Sequence, residues 1–438
     1  MKERMGSSAI TAQKVAWGML LTLAWRNLWR NKKRTVVTLS SIATGFGLCV
    51  FFIGIGDGSH NSMIRNAIQL GEGHLTLQPK GYLSAPANHK YIEDTLAFSS
   101  MFKTLNLTEQ SYARVSLQVL ASTANNSIGA GFEGVESLSD PRIEELGKHL
   151  TQGSTEILTN PRNVLIGHKL ANKLKVGVGG KIVLMAGKSG GDSQAQLARV
   201  KGIYDSGLTE IDSYLILGST ELGRMFLEGE GADLTKAPVT RIAIFLEDPE
   251  QTTASKQQLV GLLNQQSLLD DTLELFNWQE MMPQLVQFIV LDDAGNYIFL
   301  GIILIMVVIG IVNTVLMSVL ERTREFGLLR ALGLNRQYLL ALVCCETILL
   351  SMLAVLAGWL VGGGVHFWFA EHGLDLAALM GEANTEMAGT HMDKIIYTEL
   401  SWDRVFQLTS IIFGTTVITG IYPAIKAARI TPVAALHT

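Results

Sequence analysis

The chain has 438 residues, of which 48% are hydrophobic and 17% are charged, whereas about a quarter is charged in most soluble proteins. The three cysteines lie in apolar segments, so the long polar stretch has no cysteine pair for a disulfide framework. No basic stripe with interleaved aromatic residues marks a nucleic-acid surface. Four apolar blocks predict a membrane part, and the remaining length predicts a large water-exposed domain.

The N-terminal segment, residues 1–35, is basic and contains an amphipathic stretch. Trp17, Leu21 and Trp25 recur at helical spacing among lysines and arginines, which is typical of a helix on a membrane surface. A helix packed on a partner protein is the alternative. Residues 36–57 then form the first predicted membrane helix, because about 20 apolar residues span a bilayer.

Residues 58–293 predict one soluble α+β domain. Alternating or β-branched runs predict strands, and helical periodicity predicts helices between them. The predicted strands are His74–Gln78, Val115–Val119, Val164–Gly167, Lys181–Met185, Ala198–Tyr204, Tyr214–Leu217 and Thr240–Leu246. The predicted helices are His168–Leu174, Thr220–Leu227 and Pro249–Gln266.

Three further apolar blocks predict the other membrane helices. They are residues 297–320, 338–369 and 405–424. The connection 321–337 and the tail 425–438 are basic, whereas the connection 371–404 is acidic. Because basic loops stay in the cytoplasm, both termini and residues 321–337 are predicted to be cytoplasmic, and the large domain is predicted to be extracytoplasmic.

The sequence contains no well-matched catalytic motif. Gly187–Gly191 formally matches the Gly-x-Ser-x-Gly of a hydrolase, with Ser189 as nucleophile, but a strand hairpin fits the surrounding pattern better. No phosphate-binding Walker motif occurs, so the chain is predicted not to be an enzyme. His366 and His372, near Glu371, lack zinc-ligand spacing, and no metal site is predicted.

Glu346 is a charged residue within the third predicted membrane helix. Such residues either serve function, here as a proton relay, or pair with a partner. We favour a pair with an arginine near the cytoplasmic face. Glycines spaced four apart, at Gly358 and Gly362, favour close contact between helices.

The connection Glu321–Asn335 is short, basic and patterned. Phe326, Leu329 and Leu332 would share one face of a helix, with charged residues beside them. An apolar ridge with a charged rim predicts a surface for the groove of a soluble partner.

These segments resemble the MacB/FtsX/Lol superfamily of ABC transporter permeases. The likeness is carried by five segments, Leu23–Thr35, Val164–Leu184, Val200–Ser219, Ile311–Thr347 and Tyr422–Leu436. Val200–Ser219 is most similar to the lipoprotein-releasing LolC/LolE branch. The resemblance implies four membrane helices, with a large MacB-like α+β extracytoplasmic domain between the first and second, in a bacterial inner membrane.

The resemblance also implies partners and sites. A separate cytoplasmic ATPase dimer would bind ATP and Mg²⁺, which this chain would not, and would dock on Glu321, Arg322, Arg324, Glu325, Phe326, Leu329 and Arg330. A second permease chain would pair with this one in the lipid. The first two membrane helices would then line a cargo groove, with Phe46, Phe51, Ile298, Ile302 and Ile305 as candidates.

The cargo is left open by the sequence. Lipoprotein or another amphipathic molecule is the leading expectation. A MacB-like exporter of peptides or drugs, with a periplasmic or outer-membrane partner, is one alternative, and an FtsX-like activator of a periplasmic hydrolase is another. Asp57, Asp292 and Asp293 would make the mouth of the groove acidic, which is not a known pattern of the lipoprotein-releasing branch.

Overall fold

The computed structural model describes residues 17–71, 73–104, 108–187, 193–228, 234–246, 251–266, 268–269, 271–331, 334–375, 386–387, 390–391 and 395–429. The chain divides into two units. We call residues 1–59, 291–375 and 395–438 the helical unit, and residues 60–290 and 376–394 the sheet unit.

The helices are labelled in chain order. They are α1 (Trp17–Arg30), α2 (Lys32–Leu70), α3 (Thr95–Thr104), α4 (Pro141–Lys148), α5 (His168–Leu174), α6 (Thr209–Tyr214), α7 (Thr220–Glu228), α8 (Thr252–Gln265), α9 (Trp278–Met281), α10 (Pro283–Glu321), α11 (Thr323–Ala331), α12 (Arg336–His372) and α13 (Trp402–Ala428). Within the described residues, α2, α10, α12 and α13 are long and apolar enough to cross a membrane.

The strands are also labelled in chain order. They are β1 (Leu75–Pro79), β2 (Thr108–Ser122), β3 (Ser127–Val135), β4 (Leu150–Gly153), β5 (Asn163–Gly167), β6 (Lys181–Gly187), β7 (Ser193–Tyr204), β8 (Leu215–Ser219), β9 (Arg241–Leu246), β10 (Leu273–Asn277), β11 (Leu374–Asp375), β12 (Glu386–Met387), β13 (Thr390–His391) and β14 (Ile395–Ile396).

The helical unit has one hydrophobic core, to which α1, α2, α10, α11, α12 and α13 all contribute. Local signals fix where its helices start and stop. The Asn335 side chain caps α12, Ser401 caps α13, and Gly373 ends α12 with φ +71°. At Gly362, a Cβ atom would lie 2.8 Å from Gly47 Cα, so the glycine allows α2 and α12 to touch along their backbones.

The four apolar helices contain the predicted membrane segments and are longer than them. α2 continues to Leu70 and α10 starts at Pro283, although the sequence placed both stretches in the soluble domain. In the sheet unit, Met63 and Ala67 of α2 pack around Leu285 of α10. Hydropathy detects the lipid-length part of a helix, and it cannot detect an extension that buries only one face.

The sheet unit is built on a ten-stranded mixed sheet with the order β10-β1-β9-β2-β3-β8-β5-β7-β4, and β6 pairs with β2 and β7. Most neighbours are antiparallel, but β3–β8 and β5–β7 are parallel. The main core of the unit combines this sheet with side chains of α3, α5, α7 and α8. All seven predicted strands are present, whereas β3, β4 and β10 were missed.

The hairpin predicted around Gly187 is confirmed, because β6 and β7 pair antiparallel up to Gly187 opposite Ser193. A hydrolase elbow needs a helix after the turn, and a strand stands there instead. Ser189 itself lies outside the described residues.

Candidate functional site

α1 and α2 meet at Asn31, at an end of the helical unit that we call the basic end (residues 27–34 and 321–331). The Thr35 hydroxyl donates to the Leu28 carbonyl over 2.6 Å and so braces the turn between the two helices. One face of α1 packs on α12. The turn places the polar side chains of α1 and α2 beside α10, α11 and α12.

A buried ion pair joins α12 to the connection after α10. Arg322 Nη1 lies 2.8 Å from Glu346 Oε1, and each side chain is 12% exposed. Asn27 of α1 donates to the same oxygen over 2.6 Å. The prediction that Glu346 pairs with an arginine is therefore confirmed. Breaking such a buried pair is costly, because the remaining charge is left without compensation.

Two further ion pairs, both exposed, tie α1 to α11 and α2 to the end of α10. Arg30 lies 2.7 Å from Glu325, and Arg34 donates two hydrogen bonds to Glu321. The hydrogen bond from Arg30 holds the pKa of Glu325 below its usual value, and Arg322 adds a smaller effect in the same direction. Exposed pairs like these contribute little stability, but they fix which helices are neighbours.

Phe326 is the clearest correction to the predicted docking surface. Its side chain is 1% exposed and belongs to the core of the helical unit, with the Arg322 guanidinium 4.9 Å from its ring centre. It cannot offer an apolar contact to a partner. The periodicity showed which residues align on α11, and the bundle buries the face that holds Phe326.

The opposite face of α11 is open. Leu328 is 58% exposed, and Arg324, one turn before it, is exposed on the same face. Leu329 lies at the edge of the buried face and is 36% exposed. Leu328 was not among the predicted docking residues, because the sequence does not show that the bundle buries Phe326, two residues before it on the helix. Arg330 is half-buried, and residues 332–333 lie outside the described part of the chain.

The other end of the helical unit is organised around Arg404 of α13. Its guanidinium lies 3.2 Å from Asp57 and 3.1 Å from Asp293, and it donates to the Tyr297 hydroxyl over 2.8 Å. Arg404 therefore compensates two of the three aspartates that suggested an acidic mouth. The sequence contained all four residues, but it gave no sign that they meet.

The five predicted groove residues do not come together within one chain. Phe46 is fully buried in the bundle, edge-on to Trp359 at 5.4 Å, so it cannot line a groove. Phe51 packs on Phe369 at 5.2 Å. The other three, Ile298, Ile302 and Ile305, are exposed along one face of α10.

Two family models match the chain. The MacB-like periplasmic core domain matches residues 35–262, just over half of the chain, and the FtsX-like permease C-terminal domain matches residues 297–432. The chain therefore belongs to the MacB/FtsX/Lol superfamily of ABC transporter permeases. The predicted fold class, with four membrane helices and a MacB-like domain after the first, is confirmed.

Three relatives show how the likeness is distributed. The chain is 23% identical to the lipoprotein-releasing system transmembrane protein LolC of Xylella fastidiosa, over 70% of this chain and 73% of LolC. It is 23% identical to the ABC transporter permease YknZ of Bacillus subtilis, over 95% of this chain and 98% of YknZ. It is 23% identical to the macrolide export ATP-binding/permease protein MacB of Escherichia coli, over 95% of this chain and 60% of MacB.

Proposed function

We propose that this chain is the membrane subunit of an ABC transporter in which a separate cytoplasmic ATPase binds ATP and Mg²⁺ and docks on α11. The observation that carries the proposal is the two-sided character of α11. One side is anchored by Phe326 in the bundle core, the other side exposes Leu328, and Leu329 lies partly exposed at the edge between them. The basic end would face the cytoplasm, in accord with the positive-inside rule.

The chemistry of the open face suits a protein groove. Two adjacent leucines offer an apolar contact that a partner can bury, and Arg324 offers a charge at its rim. A solvated connector would gain nothing from exposing this pair. The chain would not hydrolyse ATP itself, since its relatives include dedicated permeases.

A push on α11 would reach the rest of the helical unit through the ion pairs. Glu325 of α11 holds α1, and just before α11 Glu321 holds α2 and Arg322 holds Glu346 of α12. Closure of an ATPase dimer would bias the helices between two arrangements, because packed interfaces switch between discrete states.

Outside the membrane, the sheet unit would receive this motion through α2. Residues 60–70 of α2 belong to that unit, and the Gly71 carbonyl just after the helix accepts hydrogen bonds from Arg114 (2.5 Å) and Arg142 (2.8 Å). Both guanidinium groups suit the negative end of a helix dipole. They would pass a displacement of α2 into the sheet.

The proposed cargo is a lipoprotein or another amphipathic molecule at the outer leaflet. α10 supports this proposal, since its apolar window has the highest mean hydropathy of the four membrane helices (2.8) and the smallest buried share (28%). The exposed face of Ile298, Ile302 and Ile305 would meet lipid, acyl chains or a second permease chain. A periplasmic or outer-membrane partner would accept the cargo.

The docking proposal is tested by replacing the open face of α11. Leu328→Asp combined with Leu329→Asp should abolish co-purification of the ATPase with the permease and its stimulation by the permease. Burying two carboxylates in an apolar groove is strongly unfavourable. Expression level and elution volume in detergent report whether the variant still folds.

A matched control is Leu138→Asp, which changes a leucine of the sheet unit that is 50% exposed. This variant should retain the ATPase. A double α11 variant that folds normally and still binds and stimulates the ATPase would contradict the proposed docking face.

A further inference from the structure

Three potential metal ligands meet at one edge of the sheet unit because of how its strands pair. β5 and β7 are parallel neighbours, and Gly167 at the end of β5 lies opposite Tyr204 at the end of β7. The residues that directly follow these two strands are His168, after β5, and Asp205, after β7. Since parallel strands end at the same edge, these two side chains are brought side by side.

Asp212 of α6 completes the group, and Gly167 makes its approach possible. A Cβ atom on residue 167 would lie 2.4 Å from the Asp212 Cα atom, so any larger residue would push α6 away. Ser206 fixes one carboxylate oxygen of Asp212, donating from its backbone nitrogen over 2.9 Å and from its hydroxyl over 2.7 Å. The other carboxylate oxygen points toward His168.

The ligand atoms have the separations that a metal ion requires. His168 Nδ1 lies 3.3 Å from an Asp205 oxygen and 3.6 Å from Asp212 Oδ2, and the three atoms are all within 4.8 Å of one another. Metal–ligand bonds of about 2.0–2.2 Å in a tetrahedral zinc site place the ligand atoms about 3.3–3.6 Å apart.

Burial gives a second and independent indication. Asp212 is fully buried, and its Oδ2 atom has no hydrogen-bond partner; His168 Nδ1 is also buried and without one. A buried carboxylate oxygen without a donor is costly, and a cation placed between these atoms would satisfy both. The Asp205 side chain is about half exposed, which leaves one side of the group open to solvent.

We propose that His168, Asp205 and Asp212 bind a divalent transition-metal ion, with zinc as the best match, and that water fills the fourth position. An imidazole nitrogen with two carboxylates suits zinc, whereas calcium and magnesium prefer oxygen ligands throughout. The ion would join the starts of α5 and α6 to the end of β7 and so stabilise the edge of the sheet. No metal site was predicted from the sequence, because His168 lies far along the chain from Asp205 and Asp212.

The test is calorimetric titration of Zn²⁺ into the full-length protein, purified in detergent and stripped of metal with a chelator. We expect one tight site per chain, and His168→Ala and Asp205→Asn should each weaken it at least tenfold. Asp205→Asn changes a partly exposed side chain and is expected to fold even if His168→Ala does not. Asp212 is left intact because it also holds Ser206.

His89→Ala is the matched control, since His89 is an exposed histidine of the same unit and is not one of the three ligands. Co²⁺ provides a second readout, with visible absorption bands of a tetrahedral ion that both site variants lack. The proposal is overturned if Zn²⁺ does not bind tightly, if Mg²⁺ competes equally, or if the site variants bind Zn²⁺ as the wild type does.

Discussion

The two ends of the helical unit pair their charged side chains in different ways. Among its described residues, the basic end divides its charges among four ion pairs, and only the pair of Arg322 with Glu346 is largely buried on both sides. The opposite end concentrates two carboxylates on the single guanidinium of Arg404. A distributed network can exchange partners while helices move, whereas a single hub holds three helices in one arrangement.

The end organised around Arg404 should lose more stability on a single substitution than the basic end does. Arg404→Ala removes the guanidinium that Asp57 and Asp293 share and leaves two carboxylates close together, so we expect a loss of about 3–4 kcal/mol in the free energy of unfolding. The midpoint of thermal unfolding in detergent measures the effect. Adding Asp57→Asn and Asp293→Asn to the same variant should restore most of the loss, and an unchanged midpoint for Arg404→Ala alone would rule out the hub.

Breaking the buried pair of Arg322 with Glu346 should cause the next largest loss of stability. Glu346→Ala removes the buried partner of Arg322 and leaves it only the exposed Glu325, with an expected loss of about 2–3 kcal/mol. Arg322→Met combined with Glu346→Leu should recover much of it, because an apolar pair of similar volume avoids the desolvation cost. The two single variants and the double variant, compared by thermal unfolding, give the coupling between the side chains. Additive effects would show that the pair does not form.

Loss of the exposed pair between Arg30 and Glu325 should have the smallest effect on stability. Glu325→Gln should lower the free energy of unfolding by well under 1 kcal/mol at neutral pH, because exposed pairs are screened by solvent. Arg30 lowers the pKa of Glu325 in the folded protein. The pair therefore stabilises the fold fully above about pH 5, and this contribution is lost as the pH falls through the folded pKa.

The measurement is the difference in unfolding midpoint between wild type and Glu325→Gln as the pH is lowered. The difference should shrink toward zero in acid. A difference that grows in acid would mean that Glu325 is stabilised in its protonated form, against the geometry of the pair with Arg30.

The sequence predicted most of the scaffold because its signals are local. Long apolar runs marked the membrane helices, and alternating or β-branched residues marked strands such as β5 and β9. β3 was missed because Ser127–Val135 contains three glycines and has little β-branched character. The outer parts of α2 and α10 were missed because they bury only one face and have no long apolar run.

The candidate sites were harder to predict, because they depend on which distant residues meet. A carboxylate within a membrane helix needs a partner, so the sequence could predict that Glu346 pairs with an arginine. It could not show that this arginine is Arg322. Phe326 was placed on the wrong side of α11, since periodicity aligns residues without saying which face is covered. The meeting of His168 with Asp205 follows from the parallel pairing of β5 and β7, which no local pattern encodes.

The central claim is that the open face of α11 contacts a cytoplasmic ATPase. The most direct measurement places a photoreactive amino acid at position 328 in living cells and identifies the crosslinked protein by mass spectrometry. The account predicts an adduct with an ABC ATPase from position 328 and none from position 138 of the sheet unit. An ATPase adduct from position 138, or partners found only outside the cytoplasm from position 328, would contradict it.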